Sequence, residues 1–413
     1  MRGLVISWFF PPETSAEGLV TYKLLKYSRY EYDVYASNKA IWGYSAKSDC
    51  YHKNINSYLF KTSTFDVWKA MCYGLYKLKN DNYDFIMSRS MPPESHEIAL
   101  KIKEDRPDLP WIASFGDPIA YNPYEITNVV HARKFIPNAM KRYMLNNPRT
   151  WINKLSYLGL KNNVLSRMVE LEKKVFERAD LLIFPNIQQC IYSLDVDYER
   201  YKPKCLIIPH SYDNDMIENI NTNDKVEDDK FHFLYIGYLD NYRNPESIIL
   251  AYDLLKKNNP SIAKKIVIDF VGAMPSKYKN MITLMDLYKN IILHPAVDYQ
   301  TSLQLMLKAD CMLHIDAKFS YKYNTNIFFA SKLSDYMGCQ KPILGITAKD
   351  SPAYDILTQS NNLVHEKEDI IGIADSMCKY VNHKVDINCD YYKKYDAKLI
   401  SACFDDIVNR QFF

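Results

Sequence analysis

At 413 residues, with 47% hydrophobic and 24% charged residues, the chain is long enough for two or three domains and apolar enough to build a sizeable core. A net charge of +3 gives no footing for nucleic-acid binding. The nine cysteines are scattered, with no CxxC pair and no histidine cluster at zinc spacing, which argues against a disulfide framework and a structural zinc site.

In chain order, Leu4–Trp8 reads as a first strand rather than a signal peptide, because it lacks a long apolar region and a small-residue cleavage site. A Pro-Pro turn and a helix from Glu17 to Tyr27 follow. Tyr32–Ala36 is a second strand. A helix over Val67–Leu78 leads to a strand at Asp84–Ser88, and a helix at Ser95–Glu104 to a strand at Trp111–Phe115. The long charged helix Val164–Arg178 precedes strands at Asp180–Phe184 and Leu206–Ile208. Short apolar runs alternating with helical periods predict a parallel sheet covered on both faces. The polar stretch Asn221–Lys230 carries no apolar period and reads as a linker.

The rhythm then restarts. Phe233–Gly237 is a strand, Pro245–Lys257 a helix, Lys265–Gly272 a strand, Ile291–His294 a strand and Ser302–Lys308 a helix. Cys311–Ile315 and Pro342–Ile346 are strands, and Ala397–Phe413 is a final helix with an apolar face. The fold class is therefore α/β, with two open domains in tandem. Domains are expected at 1–215 and 216–395, with the helix of 396–413 packing back on the first. In such sheets ligands bind beyond the carboxyl ends of the strands. Gly237, Gly272 and Gly345 stand there, either for close backbone approach or for simple turns. No run reaches the roughly 18 apolar residues of a membrane span, and the chain is expected to be cytoplasmic.

The most informative segment is Ser331-Lys-Leu-Ser-Asp-Tyr336. Lys332 and Asp335 are three apart and share one helix face. A cation in the first turn, where backbone N–H groups are free, makes an anion site suited to phosphate. A carboxylate one turn on suits a ribose diol. The competing reading is a surface helix with an ordinary ion pair. A second segment, 131–161 within an insertion at 121–165, interleaves Lys141, Arg142 and other cations with aromatic residues such as Tyr143 and Trp151. It suits either peripheral contact with anionic lipid or a helical insertion with its charges in water.

Six segments in order carry a resemblance: Phe9–Gly18, Pro110–Pro118, Glu177–Ile183, Ile208–Asp213, Tyr235–Leu239 with Arg243–Glu246, and Ser331–Tyr336 with Lys341 and Pro342. Together they resemble the GT-B glycosyltransferases, most of all the retaining family 4-like group that builds bacterial surface polysaccharides such as capsule and lipopolysaccharide. The resemblance implies two Rossmann-like domains with a cleft between them. It also implies transfer of a sugar from a nucleotide-diphosphate sugar to a hydroxyl of a glycan or lipid-linked acceptor. Such hexosyl transfer proceeds with retention, without a metal or other cofactor, at the inner face of the plasma membrane. On it, Gly237, Arg243, Gly272, Asn326, Ser331, Lys332 and Asp335 bind the donor, and Glu13 and Gly18 the acceptor. Asp117 orients or deprotonates the acceptor hydroxyl, and His96 faces the cleft. Each has a plainer reading: Asp117 as a turn former before Pro118, His96 as a helix-packing residue, Glu13 as a solvated carboxylate.

Two departures stand out. Tyr238 occupies a position where the family carries a basic residue, and Ile327 one where it carries a glutamate. They leave open a non-catalytic GT-B-like subunit. A nucleotide-sugar 2-epimerase is a further alternative on the same architecture.

Overall fold

The computed structural model describes residues 1–12, 15–38, 52–62, 64–79, 82–124, 163–220, 228–318 and 326–413. The chain divides into two compact units. The N-terminal unit comprises Met1–Ile208 and Phe404–Phe413; the C-terminal unit comprises Pro209–Lys318 and residues 326–403. The division falls at Ile208 and Pro209, ahead of the expected residue 215. The final helix, Ala397–Phe412, contributes residues to both units.

The N-terminal unit is built on a parallel sheet ordered β3-β2-β1-β4-β5-β6-β7. Its strands are β1 (Arg2–Ile6), β2 (Glu31–Ser37), β3 (Ile55–Phe60), β4 (Phe85–Arg89), β5 (Trp111–Ser114), β6 (Leu181–Phe184) and β7 (Cys205–Ile207). The central strands are buried along almost their whole length, as apolar runs covered on both faces must be. β3 was not legible in the sequence: an edge strand of intermediate burial, it carries no continuous apolar run. Helices Ala16–Lys26, Phe65–Lys79, Glu94–Asp105 and Asn163–Arg178 lie close to their expected bounds. The last residues join this unit through Asp405, which accepts from Ser28 Oγ at 2.6 Å and the Arg29 N–H at 2.7 Å.

The C-terminal unit repeats the plan, with a parallel sheet ordered β10-β9-β8-β11-β12-β13. Its strands are β8 (Phe231–Ile236), β9 (Ile266–Val271), β10 (Ile291–His294), β11 (Cys311–Ile315), β12 (Ile343–Ile346) and β13 (Val364–His365). Apolar clusters centred on Phe233, Ile268 and Leu344 and on Leu333, Met312 and Met337 fill its interior. In each sheet the strands run outward in opposite directions from one central pair, β1 and β4 in the first and β8 and β11 in the second. That reversal is the topological switch point, where open α/β sheets leave a crevice beyond their strand ends.

Candidate functional site

The switch point of the C-terminal unit gathers several of the expected donor residues. β8 ends at Ile236, and Gly237 follows with φ +129°, its N–H donating to Val271 O at 2.9 Å. Gly272, at the end of β9, has φ +128°. Both conformations strain any side-chain-bearing residue. The two backbones also touch: a Cβ on Gly272 would stand 2.3 Å from the Gly237 carbonyl oxygen.

Lys332 is the second residue of the helix Ser331–Gly338, whose N-cap Ala330 supplies no side-chain cap. Its ammonium lies over Gly237, 2.5 Å from where a Cβ would be. It donates to Tyr235 Oη at 2.8 Å and sits 4.2 Å from that ring's centre. Among the described residues no carboxylate stands within ion-pair distance of it. Burial, then the positive charge of Arg243, pushes the Lys332 amine well below the ordinary lysine value. Arg243 is set by a turn that Asp240 closes, its Oδ1 accepting from the Tyr242 N–H at 2.7 Å and the Arg243 N–H at 2.6 Å. A half-buried amine with no carboxylate within ion-pair distance among the described residues, and under the positive charge of Arg243, is arranged for an anion.

Sequence reasoning missed two residues here. Tyr235 lies inside an apolar strand, and nothing marks its hydroxyl as Lys332's partner. Asp316 follows the apolar run of β11, and a carboxylate directly after a strand was the available signal. Its side chain is 3% exposed, with Oδ2 accepting from Thr347 Oγ1 at 2.6 Å and Oδ1 3.0 Å from His314 Nε2. Burial alone would raise its pKa; His314, Thr347 and Arg243 outweigh that and hold it below the ordinary aspartate value.

Other expected donor residues stand differently. Asp335 is buried and accepts from Tyr299 Oη at 3.0 Å, so that oxygen is engaged within the unit rather than open to a diol. Asn326 is buried, its Oδ1 taking the Phe328 N–H at 3.1 Å, while its Nδ2 finds no partner among the described residues. Ser331 opens the helix, its carbonyl accepting from Ser334 Oγ at 2.6 Å. Ile327 is buried and Tyr238 is exposed.

In the N-terminal unit the structure corrects one expectation. His96 is wholly buried among Ser88, Trp111 and Phe115, its ring centre 4.9 Å from that of Phe115. Trp111 Nε1 donates to Ser88 Oγ at 2.8 Å, and that hydroxyl lies 2.6 Å from His96 Nδ1. Burial, and then Arg89, lowers its pKa to about 3. A neutral core imidazole cannot touch a substrate, so His96 is a packing residue.

Asp117 is half-buried just beyond β5. Its turn is tied down by Ser90, whose Oγ accepts from the Gly116 N–H at 2.9 Å and donates to Asp117 O at 3.3 Å. Downstream, Glu172 Oε1 accepts from the Ile119 and Ala120 N–H groups at 3.0 and 3.3 Å, and burial raises that carboxyl to about 8. Glu17, absent from the expected set, is held against Gly116 by the buried Arg89, with Nη2 to Oε2 at 2.8 Å. Gly18 is enclosed: its N–H donates to Ser15 Oγ at 3.1 Å, and a Cβ would meet Phe10 N at 3.1 Å. A side chain there would crowd the Phe10 backbone, and the Gly18 N–H serves the cap. Glu13 and the 131–161 segment lie outside the described residues.

No family model matches the chain, and no curated protein does. Solved structures do. Anabaena HepE in complex with UDP superposes with a TM-score of 0.63 at 12% identity, covering 99% of this chain and 100% of that one. Sucrose-phosphate synthase from Thermosynechococcus elongatus gives 0.65 at 10%, covering 100% and 99%. A UDP-forming α,α-trehalose-phosphate synthase from Burkholderia xenovorans, in complex with glucose-6-phosphate, gives 0.63 at 10%, covering 100% of both chains. The fold of this chain is the GT-B fold, with two Rossmann-like domains on parallel sheets.

Proposed function

We propose that this protein is a glycosyltransferase. It moves a sugar from a nucleotide-diphosphate sugar to a hydroxyl of a glycan or lipid-linked glycan, in the synthesis of a cell-surface polysaccharide. The observation that carries the reading is the half-buried Lys332 ammonium over Gly237, under the positive charge of Arg243, at the switch point of the C-terminal sheet. The HepE structure was determined with UDP, and the trehalose-phosphate synthase is described as UDP-forming, which supports a nucleotide-sugar donor here.

In this reading the diphosphate lies against Gly237 and Gly272, where no Cβ intervenes. As the sugar–phosphate bond breaks, negative charge builds on the leaving diphosphate. Lys332 and Arg243, both half-buried, stabilise it where a fixed cation acts more strongly than in bulk solvent. These two cations supply the charge stabilisation, so the proposal needs no metal. The Asn326 amide nitrogen is a donor available to a sugar or ribose hydroxyl. The acceptor belongs to the N-terminal unit, where Asp117, on a turn fixed by Ser90, orients the attacking hydroxyl, with retention of configuration. No helix among the described residues is long and apolar enough to cross a membrane, and contact with a lipid-linked acceptor is proposed to be peripheral.

The test is a thermal-shift panel of nucleoside diphosphates and nucleotide sugars with wild type, Lys332→Ala and Arg243→Ala. Stabilisation by one nucleotide, lost in both variants, supports the donor site and names the base. Stabilisation without turnover on any acceptor favours the non-catalytic subunit. No stabilisation by any nucleotide defeats the reading.

A further inference from the structure

Resting on the glycosyltransferase reading above, we infer that Glu17 is an acceptor-binding residue of the N-terminal unit, and that it takes a hydroxyl of an uncharged sugar rather than of a sugar phosphate. The neighbouring strands β1, β4 and β5 deliver the parts to one end of the sheet. Glu17 stands in the first turn of the helix Ala16–Lys26, the element that follows β1. Arg89 is the last residue of β4, and Gly116 lies two residues beyond the end of β5. All three therefore stand at carboxyl ends of strands, around the switch point between β1 and β4, where an open α/β sheet receives its ligand.

The Glu17 carboxylate is held by one of its two oxygens. Arg89 Nε donates to Oε2 at 2.9 Å, and Arg89 Nη2 stands 2.8 Å from the same atom. Arg89 is itself fixed: its side chain is 7% exposed, and its Nη1 donates to Ser114 Oγ at 3.0 Å. Gly116 makes room for the carboxylate, since a Cβ there would stand 2.5 Å from Oε2 and 2.9 Å from Oε1. Oε1 has no hydrogen-bond partner among the described residues, and the Glu17 side chain is 24% exposed. A carboxylate locked by a buried guanidinium, with its second oxygen unspent, is a preorganised partner for an O–H donor.

Charge balance selects the class of donor. The charges of Arg89 and Glu17 offset each other. The stretches that run on from β1, β4 and β5, residues 7–15, 90–93 and 115–124, contain no lysine or arginine, while they do contain Glu13 and Asp117. A phosphate brought here would face the Glu17 carboxylate, find no uncompensated cation in these stretches, and lose far more hydration than a hydroxyl does. A neutral sugar hydroxyl gains a charge-assisted hydrogen bond to Oε1 with no charge of its own to desolvate.

The experiment is a saturation-transfer NMR titration of the full-length protein, filled with UDP, ADP or GDP, whichever stabilises it most. The probes are glucose, galactose and mannose, and the 6-phosphate of each. Wild type, Glu17→Gln and Glu17→Asp are compared, with melting temperature and the nucleotide-induced thermal shift as the measure of folding. Wild type is expected to bind at least one neutral hexose, and more tightly than its 6-phosphate. Glu17→Gln keeps the shape of the side chain and removes its charge, so that hexose should bind about tenfold more weakly, a charged hydrogen bond being exchanged for a neutral one. The same change leaves the Arg89 charge uncompensated, so the 6-phosphate should bind more tightly than it does to wild type. A merely structural ion pair would not produce that crossover. Glu17→Asp keeps the charge beside Arg89 but draws the oxygens back by one methylene; it should weaken the hexose without favouring the phosphate, and it carries the test if Glu17→Gln unfolds. No saturation transfer to any neutral hexose, tighter binding of the 6-phosphate by wild type, or equal losses for both classes in Glu17→Gln overturns the inference, while a nucleotide-induced shift in wild type leaves the donor site standing. A wild type that none of the three nucleotides stabilises overturns the glycosyltransferase reading and this inference with it.

Discussion

Alanine at Gly237 and alanine at Gly272 are expected to fail for different reasons, and the difference follows from what each new methyl group meets. Both residues have a φ near +130°, which costs a side-chain-bearing residue about 1–3 kcal/mol. At Gly237 the methyl stands 2.5 Å from the Lys332 ammonium, the far end of a flexible side chain. The lysine can swing away, so stability loses little beyond the backbone strain. Binding suffers more: a displaced ammonium forfeits a charged hydrogen bond worth about 1.5–3 kcal/mol, or about 10- to 100-fold in Kd. At Gly272 the methyl stands 2.3 Å from the Gly237 carbonyl oxygen, which is backbone and cannot turn aside. Overpacking adds about 1–3 kcal/mol to the strain, so Gly272→Ala should be the less stable by that margin. The assay is chemical denaturation of both variants, followed by thermal shift with saturating nucleotide, which adds about 2.7 kcal/mol at a hundredfold excess over Kd. The reasoning would be refuted if Gly237→Ala kept the full nucleotide-induced shift, or if Gly272→Ala were the milder substitution.

Three further outcomes are expected. His96→Ala should destabilise the protein by about 2–4 kcal/mol, by emptying a site against Phe115 and Trp111, while the nucleotide-induced shift stays intact; a loss of nucleotide response at unchanged stability would contradict the core assignment. Glu172 is raised to about 8 from an ordinary 4.5, so it keeps its proton in the folded state and gives it up in the unfolded one between those values. Its contribution therefore declines as pH rises from 4.5 to about 8, and Glu172→Gln, which keeps an acceptor for the Ile119 and Ala120 N–H groups, should exceed wild type in stability at alkaline pH and converge with it near the lower value. Equal denaturation midpoints across that range would contradict the assignment. Asp269 lies 2.8 Å from His232 Nδ1 and 2.7 Å from His294 Nε2. The hydrogen bond that His232 donates to Asp269 raises the His232 pKa against burial, and against its own burial Asp269 is lowered by the two histidines. Stability from the raised histidine is complete below its ordinary 6.5 and lost as pH rises through its higher folded value; stability from the lowered aspartate is complete above 3.8 and lost as pH falls through its lower folded value. Melting of Asp269→Asn across pH should thus show its largest deficit between 3.8 and 6.5, and a deficit independent of pH would reject the coupling.

Much of the fold was legible because parallel strands covered on both faces must be apolar along their length. Cys311–Ile315, buried throughout, matches its expected bounds, and Gly237 and Gly272 were legible as glycines at strand ends. Two of the edge strands escaped: β3 and the two-residue β13 are half-buried and have no such run. Lys332 was legible as a cation in a helix first turn, and there the structure has it. Asp335 was legible only as its partner on the same helix face, because helical spacing reveals neighbours on one helix and says nothing of Tyr299 arriving from another. His96 misled for the same reason: a histidine just after a strand end has the same local signature whether it faces a crevice or, as here, the core.

The sequence by itself determined the alternation of strands and helices, the two-unit plan and the glycines at the strand ends, since these depend on short-range periodicity and on backbone conformations that only glycine tolerates. Tertiary structure decided which of those residues meet. Strand order, invisible in any local pattern, brings the end of β8 beside the end of β11. Tertiary packing sets the Lys332 ammonium over Gly237 and against Tyr235, because contacts between distant segments, like desolvation and neighbouring charge, act through space and not along the chain.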